Sequence, residues 1–177
     1  METITIPRNT LVVLCGAAGC GKSTFAARHF LPTQIVSSDD CRARISDDPT
    51  NQGVSHHAFD LMYYTIRKRL LLRRLTVADA THLERGGRKA VVNIARQFGF
   101  KTAVIMFDIP LETCVGRNAA RARIVPEDAL RAQYDMLQAA MKTIPKEGFD
   151  YVFVLNAESQ DQVVVKVGPP ARRGRES

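Results

Sequence analysis

The feature that most constrains the fold is the segment 16–23, Gly-Ala-Ala-Gly-Cys-Gly-Lys-Ser, which matches the pattern G-x-x-x-x-G-K-[ST]. It follows the apolar run Thr10–Cys15, which is typical of a buried strand, and it opens a helical stretch from Lys22 to about Phe30. In this context the glycines let backbone N–H groups turn inward around an anion, and the helix N-terminus adds its positive end. A glycine-rich turn that binds nothing is the alternative, but motif and context agree. The sequence therefore predicts a loop that binds the phosphates of a nucleoside triphosphate.

Beyond this loop, apolar runs alternate with stretches of helical periodicity. Turn-forming residues make Ser46–Gly53 a loop. The predicted strands are Thr10–Cys15, Gln34–Val36, Leu75–Ala78, Thr102–Asp108 and Tyr151–Leu155. The predicted helices cover Ser55–Arg74, about Glu84 to Gln97, a segment after Pro110, and Pro126 to about Lys142. Alternating strands and helices imply right-handed βαβ units. We expect an α/β fold of the P-loop NTPase or phosphotransferase type: a central parallel five-stranded sheet flanked by helices, with a helical lid.

Composition excludes several other classes of protein. The 177 residues are 45% hydrophobic and 24% charged, as in globular domains. The net charge is +7, of which residues 166–177 supply +3, so the remainder is mildly basic and compatible with a polyanionic partner. No run is long enough to cross a bilayer and the N-terminus has no signal-peptide pattern. Four cysteines without a Cys-x-x-Cys pair indicate reduced thiols, so we expect a cytoplasmic location.

The loop residues have individual expected roles. The Lys22 ammonium is expected to bridge the β- and γ-phosphates of ATP, and the Ser23 hydroxyl is expected to ligate Mg²⁺. Cys20 lies inside the predicted anion nest, where its thiol is either unusually reactive or a small residue that fills the loop. The adjacent His56 and His57 are expected to point to different helix faces, so neither is assigned a metal.

The segment after the second strand indicates where an acceptor binds. Asp39 follows the strand at its carboxyl end, where open α/β sheets bind ligands, and there it can accept a proton from an attacking hydroxyl. Alternatively, Asp39 or Asp40 caps the next helix. Arg42 is close enough to hold an anionic group of the acceptor. Asp79 ends the third predicted strand, where a carboxylate lies near the metal or caps a helix.

Three arginines follow the fourth predicted strand. Arg117 and Arg121 are one helical turn apart, and Arg123 follows just beyond. Arginines over a bound triphosphate stabilise the charge that develops on the transferring phosphoryl group. The alternative is a solvated basic helix face.

Together these residues resemble the N-terminal kinase domain of the bacterial polynucleotide kinase-phosphatase family of RNA-repair enzymes. The likeness spans nearly the whole chain. It rests on Thr5-Ile-Pro7, Gly16–Ala26, Val36-Ser-Ser-Asp-Asp-Cys-Arg42, Ser46-Asp-Asp48, Thr76–Thr81, the Arg117/Arg121 pair, and Glu147–Asn156. His82 stands where the family usually has Asn, and the spacing near Arg123 also differs from the family.

The resemblance implies transfer of the ATP γ-phosphate to the 5′-OH of RNA or DNA. It implies that Asp39 is the general base and that Arg42 holds the phosphate 3′ of the accepting nucleoside. Arg117 would lie near the nucleobase, while Arg121 and Arg123 would reach the phosphates. The expected catalytic residues are thus Lys22, Asp39, Arg42 and Arg121. The expected nucleotide-binding residues are Gly16, Ala17, Ala18, Gly19, Cys20, Gly21, Lys22, Ser23, Thr24, Arg117, Arg121 and Arg123.

On this reading residues 1–165 form the kinase domain and residues 166–177 a basic linker or tail. Relatives in the family continue into a phosphatase and often a ligase-like module, so fusion to such modules in a longer protein is expected. Two other functions remain open from the sequence. One is a P-loop kinase of a small-molecule hydroxyl, such as a nucleoside, sugar acid or antibiotic. The other is an ATP-binding module that hydrolyses ATP without an acceptor.

Overall fold

The structure is a computed structural model that describes residues 3–121 and 124–171. Its elements in chain order are β1 (Thr3–Pro7), β2 (Thr10–Cys15), α1 (Lys22–His29), β3 (Ile35–Ser37), α2 (Ser38–Ser46), α3 (Ser55–Leu71), β4 (Thr76–Asp79), α4 (Arg85–Gln97), β5 (Lys101–Phe107), α5 (Leu111–Ala119), α6 (Glu127–Thr143), β6 (Tyr151–Leu155), α7 (Ser159–Gln162) and β7 (Val164–Gly168). Three short 3-10 turns, Pro32–Gln34, Gln52–Val54 and Ile144–Lys146, connect some of these elements.

Five of the strands form one parallel sheet in the order β3-β4-β2-β5-β6. The predicted α/β fold with a central five-stranded parallel sheet flanked by helices is therefore confirmed. The strand β2 is buried over its whole length, which is expected for the middle strand of a parallel sheet covered on both faces. Because the strands are parallel, the carboxyl ends of β2, β3 and β4 meet at one edge, and the predicted site residues follow those ends.

Helices cover both faces of the sheet. Leu11 and Val13 of β2 point to one face and belong to a core cluster with Met62 and Ile66 of α3. The intervening residues of β2 point to the opposite face, where they share a second cluster with Phe25 of α1. This alternation follows from the two-residue period of a strand.

The structure adds a second, two-stranded sheet that the sequence prediction missed. β1 pairs with β7 in parallel, with Thr3 opposite Val164 and Pro7 opposite Gly168. Residues 166–168, assigned to the linker from sequence, lie in this second strand. The pairing continues at Asn9, whose side chain donates to the Ala171 carbonyl oxygen at 3.4 Å and accepts from its amide at 2.8 Å. The signal in the sequence was the alternation of exposed threonines and buried isoleucines over Thr3–Ile6.

Helix α2 was also absent from the predicted elements. The Ser37 side chain caps it by accepting from the amides of Asp39 at 3.2 Å and Asp40 at 3.3 Å. The alternative in which Asp39 or Asp40 is the cap is therefore wrong, since both aspartates lie in the first turn of the helix. Helix α3 ends at Leu71, three residues before its predicted end, because Arg73 takes a left-handed conformation with φ of 57°.

Candidate active site

The loop 16–23 joins β2 to α1, as its motif requires. Gly19 and Gly21 have φ angles of 75° and 94°, which side chains rarely adopt. An added Cβ at position 21 would lie 2.2 Å from the Gln160 Nε2 atom, so the Gln160 side chain would have to shift. The loop is further tied to the β4–α4 connection by the Gly16 amide, which donates to the Thr81 carbonyl at 3.0 Å.

Lys22 is buried at the centre of this loop. Its ammonium donates to the carbonyl oxygens of Gly16 and Ala17, both at 2.8 Å. The Cys20 Sγ atom lies 3.6 Å from the same ammonium and is inaccessible to solvent. Burial makes Cys20 a packing residue of the loop, which agrees with the second of its two sequence interpretations.

Two hydroxyl- and carboxylate-bearing residues meet beside the loop. The Ser23 hydroxyl of α1 donates to the Asp79 Oδ2 atom of β4 at 2.8 Å. Burial raises the pKa of Asp79, although the Ser23 hydrogen bond and the nearby Lys22 oppose this shift. The helix-capping alternative for Asp79 is wrong. These two hard oxygen ligands fit Mg²⁺, which prefers carboxylate and hydroxyl oxygens and keeps several waters.

Asp39 and Arg42 lie in the same cavity as the loop. The Arg42 Nη1 atom donates to the Asp39 Oδ1 atom across one turn of α2. The Arg42 side chain is only 8% exposed, whereas that of Asp39 is 46% exposed. Arg42 also donates from Nε to the Ser55 Oγ atom at 3.4 Å, so it connects α2 to the start of α3. The pair thus presents a carboxylate to the cavity and holds it from behind with a buried cation.

Arg117 of the predicted lid contacts the loop directly. The Arg117 guanidinium of α5 donates to the Cys20 carbonyl at 3.4 Å and to the Gln160 Oε1 atom at 3.1 Å. Gln160 itself donates to the same carbonyl at 2.9 Å. Arg117 and Arg121 both line the cavity. Arg123 lies outside the described residues.

The remaining nucleotide-binding predictions also map to this loop. Ala18, Gly19, Gly21, Lys22, Ser23 and Thr24 line the cavity. The Ala18 amide donates to the Gln133 Oε1 atom of α6 at 2.8 Å. The sequence analysis missed Gln133 and Gln160, because each contacts the loop from more than 100 residues away.

The β4–α4 connection forms another wall of the cavity. His82 has a φ of 46° and is buried, with its Nδ1 atom 2.8 Å from the Leu14 carbonyl oxygen. Because a carbonyl only accepts, Nδ1 carries the proton. Burial lowers the pKa of His82 to about 4, so the ring is neutral at pH 7.

A buried ion pair supports this connection from behind. Arg88 donates to the carbonyls of His82 at 2.9 Å and Leu83 at 2.7 Å, and it binds both carboxylate oxygens of Glu147 at 2.7 Å. Arg88 is 2% exposed and the Glu147 side chain 7%. Neither residue was identified from sequence, although Glu147 falls in a segment that carries the resemblance.

A group of potential metal ligands lies on the exposed surface of α3. Ligand atoms of His56, His57 and Asp60 all lie within 4.8 Å of one another. The expectation that the two histidines diverge is therefore wrong, since their ring centroids are 5.8 Å apart. All three side chains are exposed, and the nearest contact is the His56–Asp60 pair at 3.2 Å.

Comparison with known proteins identifies the family. A family model described as an AAA domain matches residues 11–144, which is most of the chain. The chain belongs to this family and has the P-loop kinase fold, which implies that it binds ATP. Among the described residues no helix is long and apolar enough to cross a membrane.

Several solved structures share this fold. A chain of a Pnkp1/Rnl/Hen1 complex superposes with a TM-score of 0.54 at 22% identity, over 70% of this chain and 42% of that chain. A gluconokinase from Sinorhizobium meliloti 1021 has a TM-score of 0.52 at 16% identity, over 90% and 89% of the two chains. A chain of the AvrRxo1-ORF1:-ORF2 complex with ATP has a TM-score of 0.60 at 16% identity, over 84% and 55%. The present chain thus spans less than half of the Pnkp1 complex chain.

Proposed function

We propose that the protein is an ATP-dependent polynucleotide 5′-hydroxyl kinase that phosphorylates RNA or DNA ends. The observation that carries the proposal is the Asp39–Arg42 pair, which shares one cavity with the phosphate-binding loop. A kinase that acts on a strand end needs a carboxylate that accepts the proton of the attacking 5′-hydroxyl. It also needs a cation that binds the phosphate on the 3′ side of the accepting nucleoside. These two side chains, one half-exposed and the other buried, meet both needs.

The donor side of the reaction follows from the loop. The loop amides and the α1 N-terminus bind the ATP phosphates, and the Lys22 ammonium moves from the loop carbonyls to the β- and γ-phosphates. Ser23 and Asp79 are the residues that would hold Mg²⁺, which when bound neutralises charge on the β- and γ-phosphate oxygens. Arg121 lines the cavity and is proposed to stabilise the transferring group, with Arg117 beside it.

The acceptor side follows from α2. Asp39 accepts the proton of the 5′-hydroxyl as its oxygen attacks the γ-phosphorus, so an O–P bond forms while the bond to the β–γ bridging oxygen breaks. ADP leaves with that bridging oxygen, and the strand keeps the phosphoryl group. Arg42 pairs with Asp39 on one edge of its guanidinium, and we propose that it also binds the phosphate 3′ of the accepting nucleoside.

A small-molecule hydroxyl kinase is the second candidate. It is favoured by the gluconokinase, which matches nearly the full length of both chains, whereas the Pnkp1 match covers only part of each. The polynucleotide proposal is supported by the Ser-Ser-Asp-x-Cys-Arg segment with Arg117 and Arg121, and by the basic net charge of +7. An intracellular nucleic-acid end is therefore the proposed partner, in keeping with the cytoplasmic location expected from the sequence.

The test is transfer of labelled γ-phosphate from ATP·Mg²⁺ to a 5′-OH oligonucleotide, with a 5′-phosphate oligonucleotide as the blocked acceptor. We expect label on the 5′-OH strand alone. Asp39→Ala should abolish transfer while ATP binding persists, and Asp40→Ala, its exposed neighbour in the same helical turn, should retain activity.

Three results would contradict the proposal in whole or in part. Label on gluconate, shikimate or a nucleoside, but not on any oligonucleotide, would establish a small-molecule kinase. Equal phosphate release with and without acceptors, and no labelled product, would indicate ATP hydrolysis without transfer. Loss of ATP binding in Asp39→Ala would place Asp39 in the metal site instead of the acceptor site.

A further inference from the structure

The cavity continues beyond Asp39 and Arg42 along one face of α3. Its volume is about 870 Å³, which is large enough for a nucleotide and part of an acceptor. Three residues of α3 line it at four-residue spacing: Ser55, Phe59 and Tyr63. Residues spaced by four lie one above the other on a helix, so these side chains form a continuous stripe.

The stripe begins at the acceptor end of the proposed chemistry. Ser55 accepts a hydrogen bond from Arg42, which in turn pairs with Asp39. Phe59 and Tyr63 follow one and two helical turns further along, at roughly 5.4 Å per turn. The two rings therefore extend the wall of the cavity away from the Asp39–Arg42 pair along α3.

This part of the wall is aromatic. The ring centroids of Phe59 and Tyr63 are 5.8 Å apart with their planes at 41°, and both side chains are half-buried at the cavity surface. Leu83 and Met136 line the same cavity and add apolar surface. The neighbouring Tyr64 does not line the cavity and is 58% exposed. Of these three aromatic residues of α3, Phe59 and Tyr63 are therefore the two on the cavity side.

Such a surface discriminates between classes of acceptor. An aromatic ring offers no hydrogen-bond partner to the hydroxyls of a sugar acid, so other groups or water must satisfy them. A nucleobase presents a flat π-face, and stacking on an aromatic side chain stabilises it without reading its sequence. The acceptor end of the cavity thus combines a carboxylate and a cation with an apolar wall.

We propose that Phe59 and Tyr63 are the stacking platform for the 5′-terminal nucleobase of the acceptor strand. This inference rests on the proposed kinase function and deepens it by assigning the part of the acceptor that determines affinity. It predicts a preference for any base over no base, and little discrimination among the four bases, because every base has a π-face.

The test compares two oligonucleotide acceptors that differ only at the 5′ residue, one with its base and one abasic. The wild-type protein should phosphorylate the base-bearing acceptor with a kcat/KM about tenfold higher. Phe59→Leu and Tyr63→Leu keep apolar bulk but remove the ring. Each should raise the KM of the base-bearing acceptor by about tenfold, leave the abasic acceptor unchanged, and leave the KM of ATP unchanged.

Two matched variants separate stacking from folding. Tyr63→Phe keeps the ring and should behave as the wild type, and Tyr64→Leu removes an exposed ring from the same helix without effect. Equal KM values for the two acceptors in the wild type, or equal losses on both acceptors in the Leu variants, would overturn the stacking assignment alone. Failure of the wild-type protein to label any oligonucleotide would overturn the proposed function, and the stacking assignment with it.

Discussion

The donor half and the acceptor half of the cavity are built differently. In the donor half, the Lys22 ammonium, the Ser23 hydroxyl and the Cys20 carbonyl all have protein partners within 3.4 Å. In the acceptor half, the Asp39 carboxylate is about half exposed, and the aromatic rings of Phe59 and Tyr63 line the same cavity. The donor half is thus held by hydrogen bonds within the protein, whereas much of the acceptor half is open surface.

This difference has a physical basis in what each half recognises. A triphosphate presents the same charges whatever acceptor is used, so a rigid, preorganised loop serves every cycle. A strand end varies in its base, and a stacking surface accepts this variation while one carboxylate and one cation position the hydroxyl. Four predictions test the contrast, and they run from the largest expected effect to the smallest.

Gly21→Ala should damage the donor half most. The new Cβ would overlap Gln160 at 2.2 Å, and the residue would keep a φ of 94°. Displacing the loop by about 1 Å is expected to lower kcat/KM for ATP by about 100-fold. Gly86→Ala is the control, because its Cβ meets nothing within 4 Å and α4 should gain about 0.5–1 kcal/mol. Steady-state kinetics gives kcat/KM for ATP and calorimetry gives the stability of both variants. Normal ATP kinetics in Gly21→Ala would show that the loop is not rigid.

Glu147→Ala should destabilise the fold from behind the acceptor half. The buried Arg88 guanidinium would lose both of its 2.7 Å carboxylate contacts, at an expected cost of about 3–5 kcal/mol in unfolding free energy. Glu127→Ala, which removes an exposed ion pair with Arg131, should cost under about 1 kcal/mol. Urea denaturation compares the two variants. Similar losses in both would mean that the Arg88 pair contributes no more than a surface pair.

His82→Asn should flatten the dependence of stability on pH. The unfolded His82 takes up a proton near pH 6.5, whereas the folded one does so only near pH 4. The wild type is therefore fully stabilised above pH 6.5 and loses about 3 kcal/mol as the pH falls to 4. Asparagine cannot titrate and tolerates the positive φ at this position. Urea midpoints at pH 7 and pH 4.5 give the slope. Equal slopes in His82→Asn and wild type would refute this assignment.

Gln160→Ala should have the smallest effect of the four. It removes the hydrogen bonds to the Cys20 carbonyl and from Arg117, and one such bond is worth about 1 kcal/mol. We expect kcat/KM for ATP to fall about tenfold. A double-mutant cycle with Arg117→Ala should be non-additive, because the two side chains contact each other. Gln162→Ala, which changes an exposed side chain of the same helix, is the control. Strict additivity of Gln160→Ala and Arg117→Ala would mean that Gln160 does not act through Arg117.

Much of the fold was predictable because its signals are local. The loop 16–23, the apolar run of β2 and the helical face of α3 each occupy a short window, and all three were recognised. The β1–β7 sheet was missed because Thr3 pairs with Val164, and no local pattern reveals such a partner. The end of α3 was predicted too far along the chain, because no sequence pattern indicates the left-handed conformation of Arg73.

The candidate site also has one part that the sequence predicted and another that only the fold revealed. The sequence by itself determined a phosphate loop with Lys22 and Ser23, because the loop's chemistry lies in consecutive residues. Only the tertiary structure brought the Asp39 carboxylate into the same cavity as the phosphate loop. Only the tertiary structure brought Gln160 to the loop and Ser55 of α3 to Arg42. Side chains far apart in the chain meet through packing, and packing is settled by the whole sequence rather than by any segment of it.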